Sequence, residues 1–112
     1  MGGRFLVEKM ASLPPARPFE SVRVVGYDNL TRRYEAATYD SFGTNIIRQV
    51  GETNATGDLV LSNSYTDLGT GAPVTRRVVR KLIAENEWIE TVFETRGGSE
   101  RRVREIHARR RG

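Results

Sequence analysis

The stretch VTRRVVRKLIAENEWIETVFETRGGSERRVREIHAR, residues 74–109, decides the fold. It carries no 3.6-residue apolar period. Its residues fall into three short runs of alternating character, Val74–Ile83, Trp88–Thr95 and Arg101–Arg109, the pattern of half-buried strands. Gly97-Gly98 separates the last two runs and is a two-residue hairpin signal, because the favoured turn needs positive φ at both central positions. Glu85-Asn86 provides the turn between the first two. Treating both as tight hairpins predicts a register. Glu94 falls opposite Arg101, Val92 opposite Val103, Glu90 opposite Glu105 and Trp88 opposite His107; on the other side Ile83 meets Trp88, Lys81 meets Glu90, Val79 meets Val92 and Arg77 meets Glu94.

Two faces follow. One has the rows Ile83-Trp88-His107, Lys81-Glu90-Glu105, Val79-Val92-Val103 and Arg77-Glu94-Arg101. The other has Leu82-Ile89-Ile106, Arg80-Thr91-Arg104 and Val78-Phe93-Arg102. The second leaves Arg80, Arg102 and Arg104 without acids, and burying an unpaired guanidinium is costly, so the first face is expected to point inward. Glu90 and Glu105 would then share one cation, Lys81, and tend to hold a proton between them. The alternative is that the charged rows are ordinary solvated pairs. Leu82, Ile89, Phe93 and Ile106 would then form the core, and an interior Arg80/Arg104 pair would be able to grip a carboxylate.

The rest of the chain has the same grain. Arg4–Met10, Ser21–Tyr27, Arg33–Asp40, Asn45–Val50 and Leu59–Ser64 read as further strands. They are separated by a Pro-rich connection over residues 12–20, the turn Asp28-Asn29-Leu30-Thr31, a bend at Ser41-Phe42-Gly43, the polar turn Gly51–Gly57 and the loop Tyr65–Ala72; Arg110-Arg111-Gly112 reads as a frayed tail. The expected fold class is all-β, an antiparallel up-and-down meander of about eight strands in a single domain, residues 1–112. A sheet of that length curls to remove its edges, giving a barrel or an incomplete, half-open barrel.

Composition narrows the function classes. With 112 residues there is one core and no need of a staple. Cys is 0 and His is 1, which excludes zinc-thiolate sites, iron–sulfur clusters, cysteine nucleophiles and any two-histidine metal site. No cofactor is expected. The absence of Cys fits a reducing compartment, and neither a signal peptide nor a membrane-spanning apolar run is legible, so the expected location is cytoplasmic with no membrane partner. Net charge is +4. Residues 1–72 hold 7 Lys/Arg against 8 Asp/Glu, whereas residues 73–112 hold 11 against 6, so the excess is confined to the C-terminal third. The Arg residues of Arg101–Arg111 lie on both faces without interleaved aromatics, which argues against a nucleic-acid platform. Gly69-Thr70-Gly71-Ala72-Pro73 precedes no helix and is no phosphate loop.

Gly2-Gly3-Arg4-Phe5-Leu6-Val7-Glu8, Gly26-Tyr27-Asp28-Asn29-Leu30-Thr31, Tyr34 with Asp40-Ser41-Phe42-Gly43-Thr44, Phe93-Glu94-Thr95 and Arg104-Glu105-Ile106 stand in the order found in a bacterial family, domain of unknown function 1579. The chain resembles that family from Gly2 to about Arg110. The resemblance implies a lipocalin-like, calycin-type barrel and no particular activity. The resemblance also implies that members usually begin earlier, with further strands and a Gly-Glu-Trp-like motif. The later start here leads to the expectation of an open barrel edge and of homodimerisation through it.

The leading functional expectation is a non-enzymatic module that binds an amphipathic small molecule in its lumen. Its ligand-binding candidates are Trp88, Glu90, Lys81, Glu105, His107, Val79, Val92, Val103, Arg77 and Glu94. Two other readings stand beside it: a small acid–base enzyme using Glu90, Glu105 and Lys81, with Glu90 and Glu105 as the catalytic candidates, and a structural self-assembly module. Asp28 and Asp40 read as turn-holding carboxylates, and Tyr27, Tyr34 and Tyr39 as cross-strand packing.

Overall fold

The computed structural model describes residues 5–12, 18–41, 43 and 46–110. The expectations for Gly2-Gly3-Arg4, residues 13–17 of the Pro-rich connection, Phe42, Thr44, Asn45 and the tail residues Arg111 and Gly112 lie outside them. The chain forms eight strands: β1 Phe5–Ala11, β2 Glu20–Asp28, β3 Arg33–Asp40, β4 Ile47–Thr53, β5 Leu59–Thr66, β6 Pro73–Ala84, β7 Glu87–Arg96 and β8 Ser99–Arg109. No helix occurs among the described residues. The expected all-β antiparallel meander is therefore what forms.

Two compact units divide the chain, Met1–Val50 and Gly51–Gly112, with β4 running across the boundary. In the first unit β1, β2 and β3 pair in chain order, both pairs antiparallel. Val25 lies opposite Ala36, and both are buried. Tyr27 and Tyr34, also directly opposite, meet edge to face with centroids 5.0 Å apart. The turn between β2 and β3 is held by Asp28, whose Oδ1 accepts the Leu30 amide at 2.8 Å, and Asp40 Oδ1 accepts the Gly43 amide at 2.9 Å after β3. Both carboxylates do the turn-holding expected of them.

In the second unit β5, β6, β7 and β8 pair in chain order, again antiparallel. The β7–β8 turn is the expected hairpin: Gly97 and Gly98 have φ of 55° and 79°, and Glu94 lies opposite Arg101. The predicted register then fails, because Val103 is an extra residue between the pairs Phe93–Arg102 and Val92–Arg104. Beyond this bulge Glu90 faces Ile106 rather than Glu105, and Trp88 faces Ala108 rather than His107. A second irregularity sits at Ile83, between the pairs Leu82–Trp88 and Ala84–Glu87. It shifts all of β6: Arg80 and not Lys81 lies opposite Glu90, Val78 and not Val79 opposite Val92, and Arg76 and not Arg77 opposite Glu94. A one-residue slip exchanges faces. The buried face thus takes β7 from the face expected to point inward, and β6 with most of β8 from the other.

Burial supplies the physical reason. Val74, Val78 and Val92 are 0%, 4% and 7% exposed, and Leu61 from β5, opposite Val78, is 2% exposed. The predicted register would have set Glu105 against buried Glu90. With the extra residue, Ile106 and Ala108 join the inner face instead, and Glu105 and His107 turn away.

β5 meets the end of β4 at a glycine that admits no replacement. A Cβ on Gly51 would overlap the Val60 carbonyl oxygen and lie 3.0 Å from Leu61 Cα. Both obstacles are backbone, so nothing there moves aside cheaply. Gly51→Ala is expected to destabilise the protein by about 1–3 kcal/mol, the usual cost of forced overpacking. Urea unfolding followed by circular dichroism checks this, and an unchanged midpoint would contradict it.

Candidate functional site

The inner face of the second unit is built in rows across β5, β6, β7 and β8. At one end stands a polar row. Glu94 is its hub: Oε2 accepts from Arg76 Nη2 at 2.7 Å and from Tyr65 Oη at 3.3 Å, while Oε1 accepts from Arg96 Nη2 at 3.3 Å. The Arg76 guanidinium also lies 5.5 Å from the Tyr65 ring centroid. Arg96 Nη1 reaches Asp67 Oδ2 at 2.5 Å. Asp67 in turn ties down its own loop, accepting the amides of Gly69 at 2.8 Å and Thr70 at 3.3 Å through Oδ1. Those amide donors are consumed within the loop, in keeping with its not being a phosphate loop.

Next comes the apolar row Leu61-Val78-Val92, with Arg104 of β8 opposite Val92. Beyond it lies the row Leu59-Arg80-Glu90-Ile106, in which Glu90 is 2% exposed. The last row is Leu82-Trp88-Ala108. The Arg80 guanidinium sits 4.3 Å from the Trp88 ring centroid, so the cation covers one face of the indole. Trp88 Nε1 is buried and has no hydrogen-bond partner; Arg76 Nε on the same face and Arg33 Nε in the first unit are likewise buried and unsatisfied.

The opposite face carries Arg77, Val79, Lys81, Glu105 and His107. Arg77 donates to Glu100 through Nε at 3.2 Å and Nη2 at 2.8 Å, and lies 4.3 Å from the Phe93 ring centroid. Arg102 Nη1 and His107 Nε2 hold Glu105 at 3.1 and 3.0 Å. Arg102 and Glu105 are three apart in sequence and would lie on opposite faces of a regular strand; the extra residue between them puts both on one face.

Of the expected ligand-binding set, the structure brings Trp88, Glu90, Val92 and Glu94 together on the inner face. It turns Arg77, Val79, Lys81, Glu105 and His107 to the other, and leaves Val103 as the bulge residue, 43% exposed. The acid–base cluster is therefore not assembled: Lys81 faces Ile89 and Glu105 faces Thr91, on the side away from Glu90. Arg76, Arg80, Arg104 and Ile106 occupy the places expected of their neighbours, while Leu61 and Val74 join the face from positions to which the sequence assigned no side. The usable signal was Val74-x-Arg76-x-Val78-x-Arg80-x-Leu82, the face of β6 that starts on a branched apolar side chain where the other starts on Pro73 and Thr75. Among the described residues no group of three His, Asp or Glu side chains is arranged to hold a metal.

The Arg76 guanidinium, and secondarily that of Arg96, holds the Glu94 carboxyl below its ordinary value of 4.5, against the opposing effect of burial. Asp67 is lowered in the same way, chiefly by Arg96. For a carboxyl with a depressed folded-state pKa, the stabilisation is present above the unfolded value and is lost as pH falls through the folded one. Thermal stability is thus expected to drop as the medium is acidified below pH 4.5. Glu94→Gln is expected to cost about 1 kcal/mol at pH 7 and to flatten the acid limb. Calorimetric Tm values across that range check both; an equally steep limb in the variant would contradict the assignment.

The family model described as "Protein of unknown function (DUF1579)" matches residues 1–110. No curated protein matches the chain, and no solved structure does.

Proposed function

The chain belongs to the DUF1579 family, and from that premise we propose that its second unit is a binding module for a small amphipathic molecule, not an enzyme. The observation that carries the proposal is the indole N–H of Trp88, a buried donor without an acceptor. Leaving such a group unpaired costs about 1–3 kcal/mol, and a ligand oxygen placed against it removes that cost. The surroundings suit an amphipathic body. Trp88 and Ile106 are half-buried, Ala108 beside them is also half-buried, and Leu82 is 65% exposed, so apolar surface at this end of the inner face is within reach of a ligand. Glu90 and Arg80 in the adjoining row supply polar groups that orient it.

Trp88 is the one Trp in the sequence and reports directly on its own surroundings. Titration with decan-1-ol, below its solubility limit, is expected to shift its emission saturably. Trp88→Phe keeps the apolar ring but removes the donor. Measured by isothermal titration calorimetry, this variant is expected to bind several-fold more weakly, as loss of one hydrogen bond implies. Absence of any saturable change in the parent protein, or unaltered affinity in a folded Trp88→Phe variant, would contradict the proposal.

A further inference from the structure

Resting on that reading, we infer that the ligand's polar end is an oxyanion, a carboxylate or a phosphate, and that Arg101 and Arg104 hold it. These two residues are three apart in β8, and a regular strand would send them to opposite faces. The extra residue at Val103 brings them to the same one: Arg101 lies opposite Glu94 and Arg104 opposite Val92, and those two β7 residues share the inner face. Two residues of strand separate them, about 7 Å, a span that two guanidiniums close on one oxyanion.

Both guanidiniums are free to do so. Among the described residues neither side chain makes an ion pair, a hydrogen bond or a ring contact. The acid nearest to Arg101 in the register is already taken, since Glu94 accepts from Arg76, Arg96 and Tyr65. Glu90, one row beyond Arg104, lies opposite Arg80 and is not without a partner. Counted over β6, β7, β8 and the Asp67 loop, the inner face has five guanidiniums (Arg76, Arg80, Arg96, Arg101, Arg104) against three carboxylates (Asp67, Glu90, Glu94). The two left over are the exposed pair on β8.

Their position fits an amphipathic anion. Along the inner side of β8 the residues run Ala108, Ile106, Arg104, Arg101, from apolar to cationic. A ligand whose apolar body lies on Ala108 and Ile106, with an oxygen at the Trp88 N–H, extends its anionic head towards Arg104 and then Arg101. The bulge makes this gradient; without it the same side of the strand would read His107, Glu105, Val103, Arg101, and an anion would meet a carboxylate in mid-path.

The test compares decanoate, decyl phosphate and decan-1-ol, which share one tail, on the full chain and on Arg101→Gln, Arg104→Gln and Arg102→Gln. At least one of the two anions is expected to bind about tenfold or more tightly than the alcohol, and which of them does so identifies the head group. Arg101→Gln and Arg104→Gln are each expected to erase most of that preference while leaving alcohol binding in place. Arg102→Gln, on the other face, is expected to keep it. Equal affinities for all three ligands, or a preference that survives both inner-face substitutions, would overturn the oxyanion site and leave the binding module standing. If none of the three binds, both fall.

Discussion

A β-strand has only two faces, so a single extra residue decides which half of its side chains meets the core. β7 is bordered by such a residue on each side, Ile83 where β6 turns into it and Val103 in β8. Everything on the inner face of the second unit depends on them. Together they surround the alternating set Trp88, Glu90, Val92, Glu94 with Leu82, Arg80, Val78 and Arg76 on one side and with Ala108, Ile106, Arg104 and Arg101 on the other. Each inner-face acid of β7 gains an Arg directly opposite on β6, and the valines meet in a buried row.

The energetic logic is one of avoiding penalties. Exposed cross-strand ion pairs contribute little, so Arg77 with Glu100 and Arg102 with Glu105 explain no fold. What matters is that Glu94, whose side chain is 13% exposed, has donors on both oxygens. A carboxylate withdrawn from water without them would cost several kcal/mol. The same network binds the Asp67 loop to β7 through Arg96, so a local turn, an ion pair and the position of a strand end are one unit. Two donors on this face stay unsatisfied, Arg76 Nε within the network and the indole N–H of Trp88, and the latter lies at the end of the face where apolar side chains are still within reach.

The sequence made the eight strands legible, along with the Gly97-Gly98 hairpin and the turn roles of Asp28 and Asp40. It did not make the β6 register legible, and the reason is visible in the residues. Arg76-Arg77, Val78-Val79 and Arg80-Lys81 are doublets, so sliding β6 by one position sets a cation opposite Glu90 and Glu94 and a valine opposite Val92 either way. Charge pairing is degenerate under that slip and cannot choose. The choice comes from burial at the start of the strand, where Val74 rather than Thr75 is enclosed, and from bulges that carry no glycine to announce them. The expected Glu90/Glu105/Lys81 cluster failed for this reason, while Trp88, Glu90, Val92 and Glu94, all from the single strand β7, kept a common face.

The register is also what the functional reading stands on, because it alone places Arg104 beside Val92 and Arg101 on the same face. Cross-strand nuclear Overhauser effects across β6, β7 and β8 test it most directly. Contacts linking Val78, Val92 and Arg104 in one row and Arg80, Glu90 and Ile106 in the next are expected. Contacts linking Val79, Val92 and Val103, with Lys81, Glu90 and Glu105 beside them, would contradict it.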